Sequence, residues 1–210
     1  MEVHPPHGPI HSVKEFMVHL LAITIGLLIA LGLESTVEWV HHRHLARDAR
    51  ENIFQEVRAN QQDVLRQLNA LPAEEKRLDE ILSLVDDAQH GRPEKPIGSF
   101  MWTNVFLHDS AWAAASSTGA IAFMSYDEVK RYSTLYAIQS FYSTMLDRNL
   151  AERHEMNVFL ERMEARGKLS DADFESGKRI ILSAKMRGLE MREIENALNT
   201  SYTKLLSQEH

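Results

Sequence analysis

The chain has 210 residues, 44% hydrophobic and 25% charged, a composition that suits a folded protein and excludes a largely disordered or low-complexity one. A formal charge of −7 argues against nucleic-acid binding, whose affinity comes mainly from neutralising phosphates. There is no cysteine, so disulfides, thiolate zinc sites, iron–sulfur clusters and cysteine nucleophiles are excluded.

Residues 1–12 carry the proline-rich string HPPHGP and read as an extended tail. Ser12 and Glu15 then have the S-x-x-E spacing of a capping box, which starts a helix at Val13. From Phe16 to Leu33 run eighteen residues without Asp, Glu, Lys or Arg, about 27 Å of helix at 1.5 Å per residue. This length and all-round apolarity predict a transmembrane helix, with its flanks, over 13–38. The rival reading, a cleaved signal peptide, is disfavoured by the length of the run and the absence of an A-x-A site. Ala22, Gly26 and Ala30 recur every four residues on one stripe, the small-xxx-small pattern that lets membrane helices approach closely. Arg43, Arg47 and Arg50 follow the span and only Lys14 and the amino terminus precede it. The positive-inside rule therefore favours a cytoplasmic C-terminal part over a periplasmic one.

Seven of the eleven histidines lie within the first 44 residues. Trp39, His41, His42, Arg43 and His44 sit where the helix leaves the lipid, a place that favours amphipathic rings and basic groups, and they are read as an interfacial girdle. Glu38 and His41 also form an E-x-x-H pair with Glu34 one turn earlier. Di-iron bundles use this unit on two helices, and a second copy is missing here, so a metal at Glu38 and His41 would require an oligomer.

Beyond the span, Leu45, Ala49, Ile53, Val57, Val64, Leu68 and Leu71 keep an apolar stripe at helical spacing. They predict a stalk that projects about 50 Å and needs a partner for that stripe. Pro72, followed by Glu74 and Glu75, is expected to end the stalk and open a second helix that finishes near His90 and Gly91, so 39–90 reads as stalk plus helical hairpin. Residues 91–98, within HGRPEKPIG, read as a loop. Over 99–210 the expectation is a helical bundle. A third helix begins at Ser99, contains Trp102, Phe106 and Trp112, and leaves at Gly119. A fourth opens on the Ser125/Glu128 capping box and runs to Gly167, and a last one opens on Ser170/Asp173 and runs to about Leu206. The tyrosines 126, 132, 136 and 142 with Phe141 read as core or as the lining of a ligand pocket. The segment PIGSFMWTNVFL either packs on the bundle or dips into a membrane surface.

The fold class is therefore all-α: an N-terminal transmembrane helix continuing into a stalk, followed by an antiparallel helical bundle. No nucleotide-binding, hydrolase or metalloprotease motif occurs, so no enzyme activity, cofactor or nucleic-acid partner is expected.

The strings ITIGLLIALGLE, VEWVHHRHLARDARENI and WAAASSTGAIAFMSYDEVKRYSTLYAIQ resemble a family of uncharacterised bacterial inner-membrane proteins with one N-terminal span and a helical domain. The resemblance implies a bacterial inner-membrane location and assigns no catalytic residue. Together these features lead to a membrane-anchored, non-enzymatic interaction or scaffold protein. Its partners would be the bilayer and either a second copy or another membrane protein. The alternative is a helical bundle that senses a ligand or a metal.

Overall fold

The computed structural model describes residues 13–92, 102–165 and 168–207. They form α1 (Val13–Gln89), α2 (Ser110–Ser117), a 3-10 turn (Ala120–Phe123), α3 (Tyr126–Glu164) and α4 (Asp171–Leu206), and no strand occurs among them. The chain divides into two units, Met1–Asp48 and Ala49–His210.

In the first unit α1 is long and apolar enough to cross a membrane, and none of its apolar stretch is buried against the protein. Its polar groups bond within the helix. Thr24 Oγ1 donates to the Leu20 carbonyl at 2.8 Å, Thr36 Oγ1 to the Gly32 carbonyl at 2.7 Å, and His19 Nδ1 to the Glu15 carbonyl at 3.0 Å. Such back-bonding is how a helix carries hydroxyls where no water can serve them.

In the second unit three helices share one repeating seam. On α1 the buried positions from 53 onward are 53, 57, 60, 64, 67, 71, 74, 78, 81 and 85, alternately four and three residues apart. On α3 the same alternation runs through 132, 135, 139, 142, 146, 149, 153, 156, 160 and 163. α4 follows it through Gly177, Ile181, Ala184, Met191, Glu195, Leu198, Tyr202 and Leu205. A mean spacing of about 3.5 residues keeps one stripe facing its neighbours at a shallow left-handed crossing.

Directions follow from the side-chain pairs. Arg50 bonds Glu128, Asn60 bonds Gln139 and Glu74 bonds Arg153, at separations of 78, 79 and 79 residues, so α1 and α3 run parallel. Glu75 meets Arg192, Asp79 meets Lys185 and Asp86 meets Lys178, so α4 runs antiparallel to α1. It follows that α4 is antiparallel to α3 as well, and the two meet where Glu152 reaches Ser183 and Arg187. At the Gln89 end of α1 the core is apolar, with Leu78, Ile81 and Val85 against Met156, Phe159, Leu160, Met163 and Ile181. There Gly177 lets Phe159 close in, since a Cβ at Gly177 would lie 2.1 Å from the ring.

Two expected elements differ. Pro72 does not end a helix, and the hairpin expected over 39–90 does not form, because α1 continues through Pro72 to Gln89. The seam passes without a phase shift from Leu71 to Glu74 and Leu78, all buried, while Pro72 is exposed. Packing on both sides outweighs the lost backbone bond. The stripe on 49–71 finds its partners in α3 and α4 of the same chain. Nor is there a helix through Trp102 and Phe106, since residues 102–109 are extended and the helix covers only Ser110–Ser117. The apolar residues of that stretch do not share a helical face: Val105 is buried whereas Phe106 is 62% exposed.

Other signals hold. Gly91 and Gly119 take positive φ of 64° and 76° where helices end. Ser170 and Asp173 form the full capping box, but at Ser125 only half of one forms. Ser125 accepts from the Glu128 amide while the Glu128 carboxylate turns to Arg50. Ser12, Ser99 and Gly167 lie outside the described residues, as do residues 93–98 of the expected loop and 99–101 of the expected third helix.

If α1 is continuous, Pro72→Ala restores a helix-interior hydrogen bond and raises stability by about 1–3 kcal/mol, read from urea unfolding in detergent. Were Pro72 a first-turn residue, the same change would be neutral or destabilising.

Candidate functional site

Residues 102–109 run back along the bundle, from the level of Glu74 on α1 to the level of Glu56. An extended segment outside a sheet has no ladder to pair its backbone donors and acceptors, so those turned toward the bundle need side-chain partners while those on its exposed residues can bond water. Polar side chains at seam positions do so. The Thr103 amide donates to Glu74 Oε1 at 2.9 Å, and the Tyr142 hydroxyl donates to the Val105 carbonyl at 3.1 Å. Asn60 clamps His108 from both sides: its Oδ1 accepts the amide at 2.9 Å and its Nδ2 donates to the carbonyl at 2.7 Å. Gln139 Nε2 donates to the same carbonyl at 3.1 Å, and its Oε1 accepts the Tyr202 hydroxyl at 2.9 Å. Glu56 then caps α2, accepting Ser110 Oγ and the Ala111 amide on Oε2 and the Tyr136 hydroxyl on Oε1.

At the centre lies a buried charge cluster. Arg153, only 6% exposed, donates through Nη1 to Asn104 Oδ1 at 2.8 Å and through Nη2 to Glu74 Oε2 at 3.5 Å, and its guanidinium lies 4.0 Å from the centroid of the Trp102 ring. Burial pushes its pKa down, and Glu74 opposes that shift. Glu195, 1% exposed, faces the same cluster. Burial and the neighbouring Glu74 charge push its carboxyl up to about 7, against Arg153, Tyr142 and Arg192. Beside it is a cavity with about 10 Å³ of space for the centre of a water-sized sphere, bordered by Gln67, Thr103, Tyr142, Asn149, Arg153, Gly188 and Glu195.

Buried hydroxyls surround this cluster. Tyr132, Tyr136, Tyr142 and Tyr202 are at most 6% exposed, and burial raises the pKa of each. Trp112 stacks on Tyr136 with centroids 5.5 Å apart. Of the aromatic series read from the sequence, Tyr132, Tyr136 and Tyr142 are core, while Tyr126 and Phe141 face solvent.

A second concavity, a groove of about 440 Å³, opens between the start of α3 and the end of α4. Leu135, Ile138 and Leu205 line it together with Lys130, Arg131, Lys204 and one acid, Asp127.

The residues singled out at the N-terminal end lie elsewhere. Ala22, Gly26 and Ala30 are exposed on α1, and beyond the helix's own backbone no atom of the described residues lies within 4 Å of a Cβ placed at Gly26. Trp39 carries the Arg43 guanidinium at 5.3 Å from its ring, and the His41 and His42 rings lie 6.0 Å apart. Among the described residues no group of three or more His, Asp or Glu side chains is placed to hold a metal. Glu38 and His41 thus have no third such ligand placed with them among the described residues. Sequence reasoning missed Asn60, Gln67, Glu74, Gln139, Asn149, Arg153 and Glu195. Their signal was polar residues at seam spacing, Asn60, Gln67 and Glu74 being seven apart.

No protein family, no curated protein and no solved structure matches the chain.

Arg153→Ala strands the Glu74 charge in the core and costs about 3–5 kcal/mol of stability by chemical denaturation. In a double-mutant cycle with Glu74→Gln the two losses fall short of additive, because Glu74 no longer carries an unpaired charge.

Proposed function

We propose that this is a membrane-anchored, non-enzymatic interaction or scaffold protein of a bacterial inner membrane, acting through association of its N-terminal helix with a second copy or with another membrane protein. The observation that carries this reading is the contrast between the two parts of α1. The apolar face of 49–85 is covered by α3 and α4, whereas every residue of 16–33 is exposed. Lipid can cover such a surface, and the small stripe of Ala22, Gly26 and Ala30 adds a face on which a second helix backbone can approach closely. The girdle of Trp39, His41, His42, Arg43 and His44 would anchor the helix at the interface, and the arginines after the span favour a cytoplasmic second unit.

Gly26→Leu together with Ala22→Leu blocks that approach. Native mass spectrometry in mild detergent is expected to show an assembly for the wild type and the monomer for the variant. An unchanged mass distribution would remove this reading.

The groove supports a second reading, a helical bundle that senses an anionic small molecule. Three cationic side chains over an apolar floor suit an acid with a short hydrocarbon part. Octanoate binding, followed by calorimetry, should fall at least tenfold in Lys130→Glu/Lys204→Glu. The metal form of this reading needs Glu38 and His41 from more than one copy.

A further inference from the structure

The central cavity of the bundle presents an unbalanced set of hydrogen-bonding atoms. Gln67 Oε1 on α1, Asn149 Oδ1 on α3 and Glu195 Oε2 on α4 are buried, have no hydrogen-bond partner among the described residues, and belong to side chains that line the same small space. All three residues are at most 4% exposed. Gly188 lines the cavity too, and beyond its own helix backbone no atom of the described residues lies within 4 Å of a Cβ placed there, so none of their side chains fills the gap. A polar void of this size has room for one water, and buried acceptors of this kind cost about 1–3 kcal/mol each if they stay unpaired.

We propose that this cavity is a binding site for one water molecule and one proton, the proton residing on Glu195 Oε2. The donor count selects this occupancy. A water brings two hydrogens, which leaves one of three acceptors unserved if the carboxylate is ionised. With Glu195 protonated, its O–H donates to the water oxygen and the two water hydrogens go to Gln67 Oε1 and Asn149 Oδ1. Three donors then meet three acceptors. Charge selects the same state. Arg153 is a single cation facing two carboxylates, Glu74 and Glu195, so full ionisation leaves one net negative charge in a site closed to solvent. Glu74 keeps its charge because it already accepts from Arg153 and from the Thr103 amide.

The groups facing Glu195 are Glu74 from α1, Arg153 and Tyr142 from α3, and Arg192 from α4, itself paired with Glu75. Thr103 lines the cavity from the return segment and carries no charge. With a folded pKa of about 7 against an ordinary 4.5, the proton's contribution to stability is complete below about pH 4.5 and is lost as pH rises through 7. Glu128, Asp86 and Asp173 are shifted down instead, so their contributions change only at lower pH.

The test is thermal unfolding of the full chain in detergent from about pH 5 to about pH 8, for wild type and Glu195→Gln. The variant is neutral at every pH and isosteric. Its Tm is expected to match wild type at the acid end and to exceed it by several degrees at the alkaline end. Parallel pH profiles overturn the proposal. So does a wild-type Tm at pH 8 that rises with potassium but not with choline at fixed ionic strength, which would place a monovalent cation in the cavity. Should the variant fail to fold, infrared spectroscopy of the wild type decides. The carboxylic-acid carbonyl band of a buried acid is expected near pH 6 and absent near pH 9, and its absence throughout overturns the assignment.

Discussion

Because α1 and α3 point the same way, the chain between them has to travel back along the bundle, and it does so in extended form past a seam that helices alone would have filled with apolar side chains. Extended backbone has an amide and a carbonyl at every residue, and packing against helices offers no ladder to pair them. That constraint explains the core's composition. Asn60 and Glu74 occupy positions where Leu or Ile would give a tighter seam, and both bond the return segment. Gln139 and Tyr142 serve it from the facing helix.

The polar seam then imposes its own requirements. Once Glu74 is buried to hold Thr103, it needs a cation, and Arg153 supplies one, fixed in turn by Asn104 and the Trp102 ring. The return segment thus fastens the very pair that fastens it. Such mutual support specifies register more than it adds stability, because a buried ion pair seldom outweighs the cost of its own desolvation. Toward the Gln89 end, beyond this cluster, the core turns wholly apolar and the shared seam carries the packing alone.

Much of this was legible in the chain, and the failures have physical causes. Helix starts at Tyr126 and Asp171 and exits at Gly91 and Gly119 follow from capping and backbone chemistry, which act locally. The apolar stripe was found at Ala49, Ile53, Val57, Val64 and Leu71, yet Asn60 and Gln67 were passed over because a hydrophobicity criterion ignores polar residues at seam positions, and Glu74 was read as a first-turn acid of a helix opening at Pro72 instead of as a buried seam residue. Pro72 misled for a related reason. Its local cost of about 3 kcal/mol is visible in sequence, while the continuous seam on either side of it is a tertiary fact. Trp102 and Phe106 suggested a helix by composition, but only the direction of α3, set some twenty residues later, demands an extended path.

The two units answer one requirement in different ways. Through 16–33 the helix satisfies every backbone group itself, and Thr24, Thr36 and His19 return their donors to its own carbonyls, leaving apolar surface that lipid can cover. In the bundle the same accounting is closed by side chains drawn from different elements. It follows that the usual expectation for a buried ion pair, replaceable by apolar residues without loss, does not carry over to Glu74 and Arg153. Two apolar side chains could fill their volume, but the Thr103 amide and the Asn104 carboxamide, both on exposed residues, would then turn to water and no longer fix the return segment on the bundle. The pair is held in place by what the backbone beside it requires.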